Sequence, residues 1–290
     1  MAQVIEVTEE LKGKRADLAA TEALPQLSRA YVHKLFEEER ITLNGEPAKP
    51  GYKLRLGDSL SVNFEISEIE QIPDIDMPIL YEDENVLVVD KPAGVISHAR
   101  GRFWNEASVA SFVRQKTGQE GERSGIVHRL DRVTSGVMVC AKNADTLSLL
   151  QKQFSQRGVK KSYVAIVLGH LKPDEAIIDM PLGRNMAKPQ TFHGTPDGKP
   201  ARTQYKVEKS FGSYDLVRLM PETGRTHQIR VHLYEVGHPI VGDHLYVGEE
   251  GKRLYLHAVS LEITLPGGER RVFESPLPPE FQEFMDKHHG

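Results

Sequence analysis

The stretch Ser124–Val139, SGIVHRLDRVTSGVMV, sets His128, Arg129, Asp131 and Arg132 between two apolar flanks. Its second flank, Gly136–Ala141, reads as a short apolar strand. An acidic side chain beside such a strand is expensive to bury unless it is paired. Arginine suits the pairing, because its guanidinium stays charged and can bind a carboxylate at two points. From these residues alone two readings stay open. Asp131 is an ionised nucleophile or base, or it turns or caps the backbone of a surface loop.

Outward from this stretch, strands alternate with a few helices. ILYEDENVLVVDKPAG (79–94) offers a strand pair, Ile79–Tyr81 and Val86–Asp90, around an acidic turn. The spacing predicts a helix over 105–117, with Val109, Phe112 and Val113 on one face. A second helix, capped by Asn143, runs to Gln156 and carries Leu147, Leu150 and Phe154. SYVAIVLGH (162–170), ARTQYKVEKS (201–210) and YDLVRLMPE (214–222) read as strands. THQIRVHLYEVG (226–237) reads as a helix with Ile229, Leu233 and Val236 on one stripe, and LYLHAVSLEITLP (254–266) as a closing strand. The pattern is α+β, with a mixed but mostly antiparallel sheet.

Upstream, ISEIEQIPDIDMP (66–78) is acidic, holds two prolines and has only scattered apolar residues, so it reads as a linker. It divides the chain into a module over 1–65 and one over 79–290. The first module reads helix, helix, hairpin. Ser28 caps a helix to about Arg40 with Leu35 and Phe36 inward. Asn44-Gly45 is a tight-turn signal, and Leu54, Leu56, Leu60 and Val62 alternate as strand residues do. Lys12, Lys14, Arg15, Arg29, Lys34, Arg40, Lys49, Lys53 and Arg55 form either a phosphate-binding face or an ordinary solvated surface.

The chain carries 41 acidic against 37 basic residues, a net charge of −4, so nucleic-acid binding has to rest on local patches. The single cysteine, Cys140, permits no internal disulfide and no cysteine-built zinc site. No apolar run is long enough to span a membrane as a helix, and the N-terminus lacks the layout of a signal peptide. The expected compartment is the cytoplasm.

Three further stretches carry polar groups on structured elements. Tyr163 lies on an apolar strand; a tyrosine there either simply needs a hydroxyl partner or takes part in a brief proton transfer. In PETGRTHQIRVHLYEVGHPIVGD (221–243), helical spacing puts His227, Arg230 and Tyr234 on one face, where an inward Arg230 could pair with Asp131. His227 and His232 are five apart and do not converge as metal ligands, so no metal site is expected. KPAGVISH (91–98) reads as a structural turn rather than a phosphate cradle, since it lacks the glycine-rich pattern.

Together HRLDRVTSG, KKSYVAIV and GRTHQIRVHL, in this order and flanked by KPAG, GHPIVGD and LHAVSL, resemble the RluA-type pseudouridine synthases over about residues 79–275. The first module, through LSRAYVHKLFEEERITLNG, resembles the S-four-type RNA-binding domain. The resemblance implies isomerisation of uridine to pseudouridine in structured RNA, without metal or organic cofactor. The appended domain tilts the substrate toward large-subunit ribosomal RNA rather than transfer RNA. It makes Asp131 the essential aspartate, Tyr163 the residue under the target base and a proposed proton acceptor, and Arg230 the partner of Asp131. Arg129 is expected to hold the duplex open, with His128 beside it. Arg225, Thr226, His227 and Gln228 are expected at the substrate, Ile240 and Val241 in the pocket wall, and Arg15, Arg29 and Lys34 on RNA. A monomer is the default. The competing readings are a non-catalytic RNA-binding or assembly factor, and a glycoside hydrolase, which needs a second acid near Asp131.

Overall fold

In the first 64 residues, short apolar segments are separated by glycine and proline turns, and a computed structural model folds them into a small sheet with two helices. The structure describes residues 2–25, 27, 29–64, 74–98, 106–118, 124–246 and 251–288. They divide into two compact units, one of 2–75 with 98 and 106–112, the other of 76–97, 113–118 and 124–288. The expected linker, 66–78, lies largely outside the described residues, as does Ser28. Residues 106–112 follow that linker in sequence yet group with the first unit.

The first unit contains β1 (Ala2–Glu6), α1 (Ala16–Ala23), α2 (Arg29–Glu37), β2 (Ile41–Leu43), β3 (Glu46–Pro47) and β4 (Ser59–Asn63). The sheet order is β1-β4-β2-β3, with every pairing antiparallel. Ala16, Ala19 and Ala20 give α1 a small, buried face, and Val32, Leu35 and Phe36 of α2 close over Ile41, Leu60 and Val62. Asn44 and Gly45 both have positive φ, as the tight turn between β2 and β3 demands. Leu56 departs from the expected alternation. It is exposed in the turn before Gly57, and the strand begins only at Ser59.

The second unit carries β5 (Ile79–Glu82), β6 (Val86–Lys91), β7 (Ser135–Ala141), β8 (Lys160–Leu168), β9 (Glu175–Asp179), β10 (Leu182–Arg184), β11 (Phe192–Gly194), β12 (Arg202–Phe211), β13 (Tyr214–Pro221), β14 (Leu256–Thr264) and β15 (Arg270–Glu274). Its main sheet runs β5-β6-β7-β14-β8-β13-β12-β9, with β15 on the far end of β14 and β10-β11 as a separate hairpin. Between named strands the sole parallel pairing among the described residues is β7 with β14. The fold is α+β with a mostly antiparallel sheet, as the sequence suggests. All seven residues of β7 are buried, which is why it reads as a continuous apolar run rather than an alternation. At its crossing with β14 stands Gly136, φ 116°, where a Cβ would run into the Ala258 carbonyl. Only glycine lets the two backbones meet there.

The helices are α3 (Val109–Thr117), α4 (Ala144–Ser155), α5 (Gln228–Glu235) and α6 (Pro279–Lys287). Asn143 caps α4 as expected, its side-chain oxygen accepting from the Thr146 N–H at 2.9 Å. Ile229 and Leu233 of α5 face the core beside Leu219 of β13 and Ile166 of β8, while Val236 is exposed and drops out of the expected stripe. None of the described helices is long and apolar enough to cross a membrane.

Candidate active site

Asp131 sits in the loop that feeds β7, and that loop is braced from the turn after β6. Gly94 donates its N–H to the Arg132 carbonyl at 2.8 Å. Ser97 Oγ donates to the Leu130 carbonyl at 2.7 Å and accepts the Leu130 N–H at 3.0 Å. The Lys91 ammonium, fully buried, donates to the carbonyls of Pro92, Val95 and Arg132 at 2.9, 2.7 and 3.3 Å. Burial pushes its pKa down to about 7, and the nearby Asp131 charge pulls the other way. KPAGVISH is therefore a structural turn, and its work is to hold Asp131's loop.

His128 anchors the same loop. Its Nε2 accepts the Val139 N–H at 3.1 Å and its ring stacks on Phe154 at 4.6 Å. Burial lowers its pKa to about 3, so the imidazole is neutral. Its acceptor nitrogen and one ring face are used inside the protein, while the residue also lines the cleft around Asp131.

The opposite wall is built by the turn into α5. Gln228 is buried, and its amide is fully spent. Oε1 accepts from Thr223 Oγ1 at 2.7 Å and the Arg225 N–H at 3.0 Å, and Nε2 donates to the Arg202 carbonyl at 3.0 Å and Thr203 Oγ1 at 2.9 Å. Gln228 thus staples the turn to β12 at the edge of the cleft it lines. His227, with φ 56°, precedes the helix in a left-handed conformation. Its Nδ1 lies 2.9 Å from the Tyr246 hydroxyl and its Nε2 3.9 Å from Asp131 Oδ2. Burial and the Arg230 charge hold His227 below the usual histidine range, against the pull of Asp131 and Asp243.

Arg230 points inward from α5 and meets two carboxylates. Nε and Nη2 each lie 2.7 Å from an oxygen of Asp243, and Nη1 reaches Asp131 Oδ2 at 3.4 Å. Asp243 is 1% exposed and Asp131 19%. So the expected Arg230–Asp131 pair exists, but its better-made half is Asp243, which the sequence reading passed over although it ends the GHPIVGD stretch. Gly242, φ 78°, brings the chain against the Arg253 carbonyl with no room for a side chain, and so delivers Asp243 to its place. Ile240 and Val241 do not wall the cleft as expected. They are core residues whose backbones bond to β8 and residue 255, because an apolar pair between Pro239 and Gly242 gains more from full burial.

These walls enclose a cleft of about 490 Å³. Asp131, Tyr163, His227, Arg230 and Leu256 line it, and Arg129, Arg157, Arg225 and Thr226 stand exposed along it. Tyr163 comes from β8 two residues after Lys161, on the same face of the strand. Burial and the Asp131 charge raise the phenol well above its ordinary value. Lys161, which donates to the Thr223 carbonyl at 3.1 Å, is pushed down to about 8 by burial. Sequence reasoning missed Lys161, Tyr246 and Asp243; Lys161 and Asp243 stood in quoted stretches and Tyr246 three residues beyond one, but only spatial convergence distinguishes them. The cleft offers one partly solvated carboxylate held by a guanidinium, an aromatic face beside it, and cations along its edge.

In the first unit, Asp17 is fully buried and gathers Arg15, Arg29 and His33. Arg15 donates through Nε and Nη2 at 2.9 and 3.2 Å, Arg29 through Nη2 at 3.2 Å, and His33 Nε2 lies at 3.2 Å. Lys34 stands apart from them beside Glu38 at 3.5 Å.

The family model described as RNA pseudouridylate synthase matches residues 85–235. Ribosomal large subunit pseudouridine synthase D of Nitrosomonas europaea is 36% identical over 295 residues, covering 96% of this chain and 86% of that protein. The uncharacterized RNA pseudouridine synthase YlyB of Bacillus subtilis is also 36% identical, covering 97% and 96%. Among solved structures, human RNA pseudouridylate synthase domain containing 1 superposes with a TM-score of 0.59 at 29% identity, over 70% of this chain and 85% of that one.

Proposed function

This chain belongs to the RNA pseudouridylate synthase family, and from that premise we propose that it isomerises a uridine in structured large-subunit ribosomal RNA, with Asp131 as the reacting carboxylate. The protein is an RNA pseudouridine synthase. The relatives named for the ribosomal large subunit, from Nitrosomonas europaea and Pseudomonas aeruginosa among others, support that choice of RNA.

The observation that carries the assignment of Asp131 is its single 3.4 Å contact with Arg230 inside the cleft, with part of the carboxylate left open to an incoming ligand. The isomerisation balances within the nucleoside. The C1′–N1 bond breaks, C1′–C5 forms, C5 loses its proton and N1 takes one up. A stacked uridine must first leave the helix, at a cost of a few kcal/mol. Arg129, exposed beside the cleft, fits the role of occupying the gap. Asp131 either attacks the sugar or supports positive charge developing at its anomeric carbon. The enclosed cleft keeps the detached uracil from water while it turns.

Tyr163 packs its ring toward the base. Its phenol is raised by burial and by Asp131, so it is protonated at neutral pH and serves as a platform and hydroxyl donor rather than as a resting base. A glycoside-hydrolase reading requires a second free acid; the neighbouring candidate, Asp243, is buried and held at both oxygens by Arg230.

The first unit, with Arg15 and Arg29 gathered on Asp17 and Lys34 beside Glu38, is proposed as an RNA-gripping domain of the S-four type working in the cytoplasm as part of a monomer. Mapping pseudouridine by carbodiimide labelling, in ribosomal and transfer RNA from cells with and without the gene, tests the proposal. Loss of one or more large-subunit positions is expected. Loss confined to transfer RNA contradicts the choice of substrate, and retention of every position contradicts the reading as a whole.

A further inference from the structure

Lys160 and Lys161 open β8 and, as neighbours on a strand, point to opposite faces. Lys160 is exposed and has a counter-ion, Glu262 Oε2 at 3.3 Å. Lys161 is half-buried and turns into the cleft, where it donates to the Thr223 carbonyl at 3.1 Å. That bond uses one of its three protons. Among the described residues no carboxylate pairs with it, and the charge acting on it is the like charge of Arg157. Glu222, on the same rim, faces Arg202 at 3.5 Å. Arg157 closes α4 with φ 58°, a left-handed position that favours glycine. Its exposed side chain stands at the cleft with no ion-pair partner among the described residues.

We propose that Lys161 and Arg157 form a phosphate site, which takes a backbone phosphate of the RNA strand next to the flipped uridine while Asp131 meets its sugar. The inference rests on the reading of the cleft as the seat of that uridine. Two cations brought together without an acid repel each other, and a half-buried ammonium favours a negative partner. A bound anion answers both. The chemistry selects phosphate over the base. A uracil carbonyl is neutral and needs one donor, whereas an ammonium and a guanidinium together match a charged group with several acceptor oxygens. Asp131 is not among the charges acting on Lys161, so the carboxylate and the cation pair serve different parts of the nucleotide. A phosphate contact of this kind positions the strand and carries no sequence information of its own.

The test uses the full-length protein and a synthetic stem-loop RNA spanning the uridine found by pseudouridine mapping. The phosphates on either side of that uridine are replaced, one at a time, by a neutral methylphosphonate. Equilibrium binding is measured for the wild type, Lys161→Met and Lys161→Arg. In the wild type one replacement is expected to weaken binding about 10-fold, the scale of one hydrogen bond to a charged group. Lys161→Met is expected to lose about 10-fold on the unaltered RNA and to lower the slope of log Kd against log salt by about 0.7–0.9. At the sensitive phosphate the methylphosphonate then costs less than about twofold. Lys161→Arg, which keeps the charge, is expected to retain the sensitivity.

A wild-type salt slope in Lys161→Met would overturn the proposal. So would a methylphosphonate profile identical in the wild type and that variant, which reduces Lys161 to a brace for the Thr223 carbonyl. Should Lys161→Met fail to fold, Arg157→Asn supplies the comparison, since asparagine is at home in the left-handed region. Sensitivity that falls at one phosphate supports the proposal, and an unchanged profile overturns it. Asp131→Asn run alongside separates the two ideas. If that variant stays active, or no RNA carries a modified uridine, the reading of the cleft fails and the phosphate site with it. If it is inactive while Lys161→Met binds with the wild-type slope and profile, only the phosphate site fails.

Discussion

Arg230 touches Asp131 through one nitrogen, Nη1 to Oδ2 at 3.4 Å, and that slack contact leaves the carboxylate partly open. A guanidinium that is buried, paired and aimed by a helix is a costly group to lose a partner from. Replacing Arg230 with Met leaves two carboxylates facing each other without a cation. The expected result is a destabilisation of about 3–5 kcal/mol in chemical denaturation together with loss of modification. Arg230→Lys keeps a cation and is expected to stay folded. A Met variant of wild-type stability would show that the three charges do not interact as the distances indicate.

Tyr163 separates two roles that a ring and a hydroxyl can play. Loss of a general base costs about 10²–10⁴-fold, so Tyr163→Phe is expected to lose less than about 10² in kcat if the phenol stays protonated. Tyr163→Ala, which removes the platform, is expected to lose more than the Phe variant. Equal losses in both, at the upper end of that range, would make the hydroxyl a base after all.

Several buried histidines give the fold a pH signature. Burial lowers His128 to about 3 and His257 to about 4, and it lowers His227 and His232 as well. A histidine whose folded pKa is depressed takes up protons more readily when unfolded. Its contribution is complete above the unfolded value of 6.5 and is lost as pH falls from there toward the folded value. Each such group forfeits up to about 1.4 kcal/mol per pH unit in that window. Urea denaturation at pH 7.5, 5.5 and 4.5 is expected to show stability falling by several kcal/mol. A flat profile, or one rising toward acid, would mean that these rings are not buried neutral.

Arg29 bears on the first unit. It is more than half exposed yet tethered to Asp17, an arrangement that presents a guanidinium in a set direction. Arg29→Gln is expected to weaken RNA binding across sequences and to flatten the salt dependence of log Kd by about 0.7–0.9 per lost phosphate contact. An unchanged slope, measured by filter binding at several salt concentrations, argues that this face is ordinary solvated surface.

Much of this is legible in the sequence alone. The apolar runs around 86–90, 135–141 and 162–168 announced a buried sheet, because period and β-branched content survive translation into one dimension. Asn143, Asn44-Gly45 and the 228–235 helix were readable for the same local reason: caps, turns and amphipathic stripes are decided within a few residues. The pairing of Arg230 with Asp131, 99 residues apart, came from the resemblance and from the cost of an unpaired buried acid. What escaped were side chains whose role depends on distant partners. The hydrogen bonds by which Gln228 and His128 brace the site, to Thr203 and Val139, are of this kind. Ile240 and Val241 look like pocket walls until β8 takes their backbone bonds. Asp243 is unremarkable in its glycine-rich stretch and acquires meaning only when α5 brings Arg230 to it.

The most direct test replaces Asp131 with Asn and measures RNA affinity and uridine isomerisation on the same preparation. The substitution keeps the shape of the side chain and removes its charge. Binding should stay within about twofold while isomerisation falls at least about 10³-fold. Turnover surviving at more than a few per cent of wild type, with binding intact, would remove Asp131 from the centre of the chemistry.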